Sequence, residues 1–233
     1  MLHECIEALN IKEDGTYIDC TLGGGGHFTE IAKRLSEDGR LIGIDKDADA
    51  IDAYRRRNVN TRCKVDIVKS DFKDIKEVAT KTGIDGADGI LMDLGVSSYQ
   101  LDKASRGFSY KNDAPLDMRM DRNLKISAYE VVNDFSEKEI ADIIYKYGEE
   151  PKSRKIAKNI VEYRKNKKIE TTLELSEIII KSIGKSMKKH PSKRTFQAIR
   201  IFVNKELEVL EEALDKAVNL LNNNGKLLVI TFH

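Results

Sequence analysis

The stretch Asp19-Cys20-Thr21-Leu22-Gly23-Gly24-Gly25-Gly26-His27 places four consecutive glycines between a short strand pattern, Thr16 to Cys20, and a helical pattern, His27 to Leu35. Glycine loses more conformational freedom on folding than any other residue, so four in a row are costly. They are expected where a ligand must approach the backbone, as at the first strand-to-helix turn of an α/β sheet. The stretch therefore predicts a ligand-binding loop, and the alternative is a tight turn that binds nothing.

Strand and helix patterns alternate over the first hundred residues. Short apolar runs between helical stretches are typical of parallel strands that are covered on both faces. The predicted strands are Thr16–Cys20, Arg40–Asp45, Val65–Val68, Gly89–Asp93 and, much later, Lys226–Phe232. The pattern predicts an α/β fold with a doubly wound, Rossmann-like sheet. We expect the last elements of the complete sheet to be absent, because the chain ends directly after the last predicted strand.

Helical patterns fill the chain between the fourth and fifth predicted strands. Residues 95–123 are polar and irregular, whereas residues 136–187 are helical. Two capping boxes, in which Glu follows Ser or Thr by three residues, indicate helix starts at Ser136 with Glu139 and at Thr171 with Glu174. One long helix is predicted from about Ser192 to Leu221, because its apolar residues recur at steps of three and four.

The break in the strand pattern predicts two domains. We expect a discontinuous cofactor-binding domain at residues 1–98 and 206–233, and an inserted helical substrate-recognition domain at residues 99–205. Charge is also divided unevenly, since residues 151–200 carry 15 Lys and Arg against 4 Glu, although the whole chain has a net charge of +1. Such a local excess repels itself unless an anion balances it, so nucleic acid is the expected partner. The alternative is a set of solvated helix faces.

Composition excludes several classes of protein. The chain has 233 residues and 40% hydrophobic residues, with no apolar run near the roughly 18 residues that a membrane helix needs. The first residues lack the basic and apolar regions of a secretory signal. The three cysteines have no metal-type spacing and cannot pair completely. We therefore expect a cytoplasmic protein with free thiols, no metal site and no membrane partner.

Acidic residues lie at or next to the ends of three of the predicted strands. The glycine stretch lacks the third glycine of the dinucleotide fingerprint, and an acid followed by glycines suits S-adenosylmethionine better. Asp19 can attract the ammonium group of that ligand, directly or through water. Asp45 can accept hydrogen bonds from ribose hydroxyls, or it can cap the next helix. Phe72 can pack on the adenine, or it can belong to the core.

Asp93 ends the fourth strand, next to the crevice where ligands of this fold bind. Its carboxylate or carbonyl oxygen can accept hydrogen bonds from a substrate amine and orient the lone pair of the amine toward a methyl donor. The alternative is an Asp that stabilises a turn or caps a helix. His27 can touch the ligand, but the sequence alone gives no support for a general-base role.

Basic residues cluster before and within the long helix. Side-chain charge next to the free N–H groups of a helix start favours phosphate binding. His190 lies in the same stretch, where it can contact phosphate or cap the helix. Arg106 lies in the irregular segment, which we expect to overhang the crevice. The predicted nucleic-acid-binding residues are Arg106, Lys188, Lys189, Lys193, Arg194 and Arg200.

Six stretches together resemble one known family, the bacterial ribosomal RNA small-subunit methyltransferase H family, also called MraW. The stretches are Asp19–His27, Leu91–Ser98 with Gln100-Leu101, Arg106–Ser109, Pro115–Met120, Thr195–Asn204 and Thr231–His233. The resemblance implies a class I methyltransferase sheet and S-adenosylmethionine-dependent methylation of the exocyclic amine of a cytosine in the decoding region of 16S ribosomal RNA. The implied cofactor contacts are Gly25, Gly26, His27, Asp45, Phe72, Asp93 and Gln100.

Two departures from known patterns bear on these expectations. Members of the family continue well beyond the Phe-His motif that ends this chain. Many amino-methylating enzymes carry Pro-Pro-aromatic after the acid of the fourth strand, whereas this chain has Leu94-Gly95-Val96, so the role of Asp93 rests on its position. The rival hypotheses are a nicotinamide-dependent oxidoreductase and an inactive RNA-binding assembly factor. Both a monomer and a homodimer remain open.

Overall fold

The structure is a computed structural model that describes residues 1–184 and 190–231. The strands are β1 (Thr16–Asp19), β2 (Arg40–Asp45), β3 (Lys64–Lys69), β4 (Ala87–Asp93) and β5 (Leu221–Ile230). The helices are α1 (Leu2–Leu9), α2 (Gly26–Ala32), α3 (Ala48–Arg56), α4 (Ile75–Thr82), α5 (Ser98–Asp102), α6 (Ala128–Asp134), α7 (Glu137–Gly148), α8 (Ser153–Arg164), α9 (Thr172–Ile183), α10 (Lys193–Asn204) and α11 (Glu206–Leu220). Short 3-10 turns occupy Phe72–Asp74 and Ala104–Arg106.

The five strands form one parallel sheet in the order β3-β2-β1-β4-β5. The parallel α/β sheet predicted from the sequence is therefore confirmed. The order along the chain reverses between β1 and β4, and ligands of open α/β sheets bind at such a reversal, outside the carboxyl ends of the strands. The ends of β2, β1 and β4 are neighbours at this point, which brings together the segments after Asp45, Asp19 and Asp93.

The chain divides into two compact units, residues 1–99 with 207–233 and residues 100–206. In the first unit, successive strand residues belong to different apolar clusters, since Tyr17 and Leu41 lie in one and Ile18 and Ile42 in the other. Side chains alternate between the two faces of a strand, so both faces of the sheet are covered. Burial on both faces holds the strand ends, and the loops that follow them, in fixed positions.

The second unit is helical as far as the structure describes it. Both capping boxes predicted from the sequence are present, at Ser136 and at Thr171, and a third lies at Ser127. The irregular segment before α6 is held by Asn204, whose amide donates to the Met118 carbonyl and accepts from the Met120 amide, both at 2.7 Å. Buried side-chain bonds of this kind stabilise a segment that has little regular structure of its own.

The single long helix predicted from Ser192 to Leu221 is wrong, because α10 ends at Asn204 and α11 begins at Glu206. Lys205 between them has a left-handed backbone with φ 50°, and its N–H bonds to the carbonyls of Ile201 and Phe202. The apolar period continues across this break, so the spacing of apolar residues cannot reveal it.

The last strand also differs from the prediction, since β5 begins at Leu221 rather than Lys226. Leu221 pairs with Ala87 and Lys226 with Gly89, so residues 222–225 form an irregularity within the strand. Asn224 has φ 66° there. The polar residues 222–225 thus form a bulge in the pairing. Phe232 and His233, which close the strand motif in the sequence, lie outside the described residues.

Candidate cofactor-binding site

The glycine loop joins β1 to α2 and is bound to the neighbouring strands by its backbone. The Gly23 amide donates to Asp45 Oδ2 at 2.8 Å, and the Leu22 amide donates to the Ile44 carbonyl at 2.9 Å. Gly25 is the N-cap of α2 and has φ +73°, a left-handed conformation that favours glycine. The loop is therefore held against the end of β2 by its own amides.

The loop leaves open space where a ligand can approach the backbone. An added Cβ on Gly24 or Gly26 meets no atom within 4 Å, whereas one on Gly25 would come within 2.2 Å of the Tyr54 ring. Gly25 is therefore required by the fold, whereas Gly24 and Gly26 leave a bare backbone that faces free space. This arrangement fits a cofactor such as S-adenosylmethionine, whose small functional groups need close contact with backbone amides.

Asp45 is fixed by two backbone amides, since its Oδ2 accepts from Gly23 and its Oδ1 accepts from Asp47, both at 2.8 Å. The alternative that Asp45 caps α3 is wrong, because Asp47 is the N-cap and accepts from Asp49. Each carboxylate oxygen of Asp45 retains a second acceptor site, as contact with ribose hydroxyls requires. Burial raises the pKa of Asp45 to about 6, while the two amide hydrogen bonds oppose that rise.

Asp19 is 1% exposed and lies beneath the loop. The amide and the hydroxyl of Thr21 both approach its Oδ1, at 3.0 and 3.4 Å. Burial, together with the nearby charges of Asp45 and Asp93, raises the pKa of Asp19 to about 7, while the hydrogen bonds from Thr21 oppose that rise. Direct contact between Asp19 and a ligand ammonium stays a prediction, and the contact that the structure shows is the one that shapes the loop.

Thr21 also connects the loop to β4, a role that the sequence analysis missed. Its hydroxyl oxygen accepts a hydrogen bond from the Asp93 amide at 2.7 Å. One loop thus contacts the residue that ends β2 and the residue that ends β4. The only indication of this role in the sequence was the position of Thr21 directly before Leu22 and the glycines.

Asp93 and His27 face each other at this edge of the sheet. His27 lies in the first turn of α2, and its Nδ1 is 3.5 Å from Asp93 Oδ2. Burial raises the pKa of the Asp93 carboxyl, and His27 opposes that rise. The His27 Nε2 atom is buried and has no hydrogen-bond partner within the described part of the chain. Such an orphaned polar atom beside a bare loop is a second feature that fits a ligand.

The remaining two predicted cofactor contacts lie apart from the loop in the chain. Phe72 begins the 3-10 turn after β3 and is half-buried against the apolar cluster of Ile18 and Ile42. Its contact with adenine stays a prediction. Gln100 lies in α5, in the second unit, and is buried. Its contact with the cofactor also stays a prediction.

The predicted RNA-binding residues differ in their surroundings. Arg106 is fully buried, and its guanidinium donates to the carbonyls of Arg119 and Met120 at 2.7 and 3.0 Å. Its assignment to RNA is therefore wrong for this structure, because a buried guanidinium cannot reach a phosphate. Lys193 and Arg194 are exposed in the first turn of α10.

Of the remaining basic residues in this part of the chain, the structure describes Arg200 and His190. Arg200 is largely buried and forms a two-point ion pair with Glu206, at 2.8 and 2.9 Å. Lys188 and Lys189 lie outside the described residues. His190 accepts a hydrogen bond from the Ser192 amide and stacks on Tyr110 with ring centroids 4.3 Å apart. Of the predicted cations that the structure describes, Lys193 and Arg194 are the ones exposed to solvent.

Replacing Asp45 tests the ribose assignment. Asp45→Ala removes the predicted acceptor for the ribose hydroxyls and releases the Gly23 amide. S-adenosylhomocysteine should therefore bind at least about 10- to 100-fold more weakly, since even one hydrogen bond to a charged group contributes roughly 1.5–3 kcal/mol. Isothermal titration calorimetry measures the change. Asp52→Ala, which removes an exposed acid from α3, is the control and should bind normally. Equal affinity of Asp45→Ala and wild type would contradict the assignment.

The raised pKa of Asp19 predicts how stability depends on pH. Between about pH 4 and pH 7 the unfolded chain has lost this proton while the folded chain retains it, so the contribution of Asp19 to stability falls as pH rises. Asp19→Asn removes this titration and keeps an oxygen that can accept from Thr21. The stability of Asp19→Asn relative to wild type should therefore rise between pH 5 and pH 8, by on the order of 1 kcal/mol or more.

Urea unfolding at both pH values measures this difference. Asp14→Asn, at an exposed position, should show the same pH dependence as wild type. If the free energies of unfolding of Asp19→Asn and wild type changed with pH by the same amount, Asp19 would be ionised in the folded chain, contrary to the prediction.

A parallel sheet with reversed strand order, a bare glycine loop and acids at the ends of the adjoining strands defines an α/β enzyme that binds a nucleoside-type cofactor. Comparison with known proteins identifies the family of this enzyme. The chain belongs to the MraW methylase family, whose model matches residues 1–233. The cofactor is therefore S-adenosylmethionine.

Curated relatives support the same family. The chain is 57% identical over 235 residues to ribosomal RNA small subunit methyltransferase H of Clostridium botulinum (strain Kyoto / Type A2). It is 52% identical over 236 residues to the protein of that name in Clostridioides difficile (strain 630). Each alignment covers all of this chain and 76% of the relative. Within the described residues, no helix combines the length and the apolar character needed to cross a membrane.

Proposed function

We propose that this chain methylates small-subunit ribosomal RNA, at the exocyclic amino nitrogen of a cytosine in the decoding region of 16S RNA. The observation that carries the proposal is the loop of residues 20–26, which contacts the ends of β2 and β4 at once through Asp45 and Asp93. A methyl donor bound on the loop would then lie beside a carboxylate that can receive an amine. The RNA substrate in this proposal is inferred from the names of the relatives. The cytosine target is inferred from the resemblance of the sequence motifs to the family.

Chemistry at this site needs positioning more than activation. S-adenosylmethionine, when bound, supplies an electrophilic methyl group. The bare loop and Asp45 hold the donor, and Asp93 accepts a hydrogen bond from the target amine so that the nitrogen lone pair faces the methyl carbon. Asp93 would then receive the proton that the amine loses when it takes up the methyl group. Burial raises the pKa of Asp93, which suits a group that must take up a proton.

The basic segment gives the substrate a binding surface in this proposal. Lys193 and Arg194 combine exposed positive charge with the start of a twelve-residue helix, so we infer that they contact phosphates of the RNA. The same segment includes Lys188 and Lys189, which lie outside the described residues, and Arg200, whose RNA contact stays a prediction.

Neutralising the two exposed cations tests this surface. The double variant Lys193→Gln/Arg194→Gln should weaken binding to small-subunit RNA and reduce the slope of log affinity against log salt by about 2, roughly one for each lost phosphate contact. Fluorescence anisotropy at several salt concentrations measures both effects. The matched variant Lys76→Gln/Lys81→Gln removes two exposed charges from α4 and should leave the slope unchanged. An unaltered slope in the first variant would count against the surface.

Mapping the transferred methyl group tests the whole proposal. Small subunits from cells that lack the gene are incubated with the protein and isotope-labelled S-adenosylmethionine, and the RNA is digested and analysed by mass spectrometry. We expect one label, on the amino nitrogen of a decoding-region cytosine. A label on another base or atom would contradict the target. No label, together with tight RNA binding, would favour the inactive assembly factor, and tight binding of NAD would favour the oxidoreductase.

A further inference from the structure

Three carboxylates lie at the edge of the sheet, and they are held in different ways. Asp19 and Asp45 each accept a hydrogen bond from at least one backbone amide. The Asp93 carboxylate has a side chain for a partner instead, the imidazole of His27, with 3.5 Å between Nδ1 and Oδ2. A carboxylate held by backbone amides keeps its orientation whatever side chains surround it. His27 is thus the side chain against which the Asp93 carboxylate is placed.

His27 also affects the charge of the Asp93 carboxyl, because the other groups near Asp93 do not favour that charge. Asp19 on β1 and the Cys5 thiol on α1 both interact electrostatically with Asp93, and each of these groups is neutral or negative. Burial of the Asp93 carboxyl also disfavours its charge, and His27 is the group that favours it. A donor to a carboxylate stabilises the ionised form. His27 therefore supports the form of Asp93 that can receive a proton.

The two nitrogens of His27 are used differently. Nδ1 faces Asp93, whereas Nε2 is buried and has no partner within the described residues. An N–H at Nδ1 can donate to Asp93 whether or not Nε2 carries a proton. At 3.5 Å, Oδ2 faces the imidazole, which leaves the other oxygen, Oδ1, for a second partner. This is the logic by which an oriented partner prepares an acid or base for its task.

We propose that His27 is a positioning residue for methyl transfer, which holds Asp93 ionised and oriented so that its free oxygen accepts the target amine. The inference rests on the proposed function, because it assumes that Asp93 meets the amine. In the step itself, the amine nitrogen bonds to the methyl carbon, the S–C bond breaks with its electrons going to sulfur, and one amine proton passes to Asp93 Oδ1. His27 takes no part in this proton transfer and touches no reacting atom.

Two variants of His27 separate positioning from packing. His27→Phe keeps a ring but removes the N–H, and His27→Asn places an amide N–H near the position of Nδ1. We expect His27→Phe to lower the methylation rate about tenfold at neutral pH, because a misplaced group costs on the order of 10- to 100-fold. Its rate profile should lose activity at a higher pH than the wild-type profile as the solution is acidified, because Asp93 then takes up a proton more easily. His27→Asn should recover most of the rate and the wild-type profile.

A measurement on the protein alone tests the pairing without any reaction. Carboxyl resonances of carbon-13-labelled aspartate are titrated by NMR, with Asp93 assigned from its loss in Asp93→Asn. The Asp93 midpoint should move to higher pH in His27→Phe and return in His27→Asn. Asp88, on the same strand but paired with Lys12 at 3.0 Å, is the internal control and should not move. Its unchanged resonance also reports that each variant is folded.

Two outcomes would overturn the inference. One is an Asp93 midpoint that is the same in His27→Phe and wild type. The other is equal loss of rate in His27→Phe and His27→Asn, because that result means that the imidazole acts through its shape rather than its N–H. If wild type fails to methylate small subunits, the proposed function fails, whereas the titration still shows whether His27 controls Asp93.

Discussion

Gly25→Ala is expected to abolish detectable binding of S-adenosylhomocysteine and to destabilise the fold. The new Cβ would stand 2.2 Å from the Tyr54 ring, at a position where φ is +73°. The left-handed backbone alone costs a non-glycine residue roughly 1–2 kcal/mol, and the overlap adds to that cost. The loop can relieve both only by moving, which displaces the Gly23 amide from Asp45. Calorimetry and urea unfolding should therefore both show a loss.

Gly24→Ala is the matched control for this prediction. Its Cβ meets no atom of the protein within 4 Å, so the unfolding curve should match that of wild type. If the open space above the loop belongs to the cofactor, the same substitution should still weaken binding. Normal affinity in Gly25→Ala would contradict the account, and normal affinity in Gly24→Ala would show that the ligand does not approach the loop at this residue.

Arg106→Ala is expected to lower the stability of the helical unit by on the order of 3 kcal/mol. The guanidinium is fully buried and donates to the carbonyls of Arg119 and Met120. Its removal leaves buried acceptors without partners and opens a cavity, and both effects are costly. Urea unfolding followed by circular dichroism at 222 nm measures the loss.

Arg154→Ala serves as the comparison for this substitution, because it removes an exposed arginine from α8. Surface changes of this kind are usually within about 0.5 kcal/mol of wild type. If Arg106→Ala weakened RNA binding while leaving stability intact, the assignment of Arg106 to RNA from the sequence would be right and the structural role wrong.

Much of the sheet was predictable because its physical causes are local. Strands β1, β2 and β4 appear in the sequence as short apolar runs between helical stretches, and each ends at an Asp. Parallel strands end at one edge of a sheet, so the three acids were expected to converge. The capping boxes at Ser136 and Thr171 were predictable for the same reason, since the donor and the acceptor lie three residues apart.

Features that depend on distant contacts could not be predicted in this way. The break at Lys205 accompanies the bonds of Asn204 to Met118 and Met120, which lie more than eighty residues earlier. The apolar period runs through the break and hides it. The burial of Arg106 also depends on distant carbonyls, and a charged residue in a polar segment is expected at the surface. The pairing of His27 with Asp93 joins two elements 66 positions apart.

The central claim is that the glycine loop, Asp45 and Asp93 surround one cofactor, and a crystal structure of the chain with S-adenosylhomocysteine tests it most directly. We expect the ribose hydroxyls within hydrogen-bond distance of Asp45, the ligand in contact with the backbone at Gly24 to Gly26, and its sulfur next to Asp93. Electron density for the ligand at any other place, with the loop unchanged, would contradict the account.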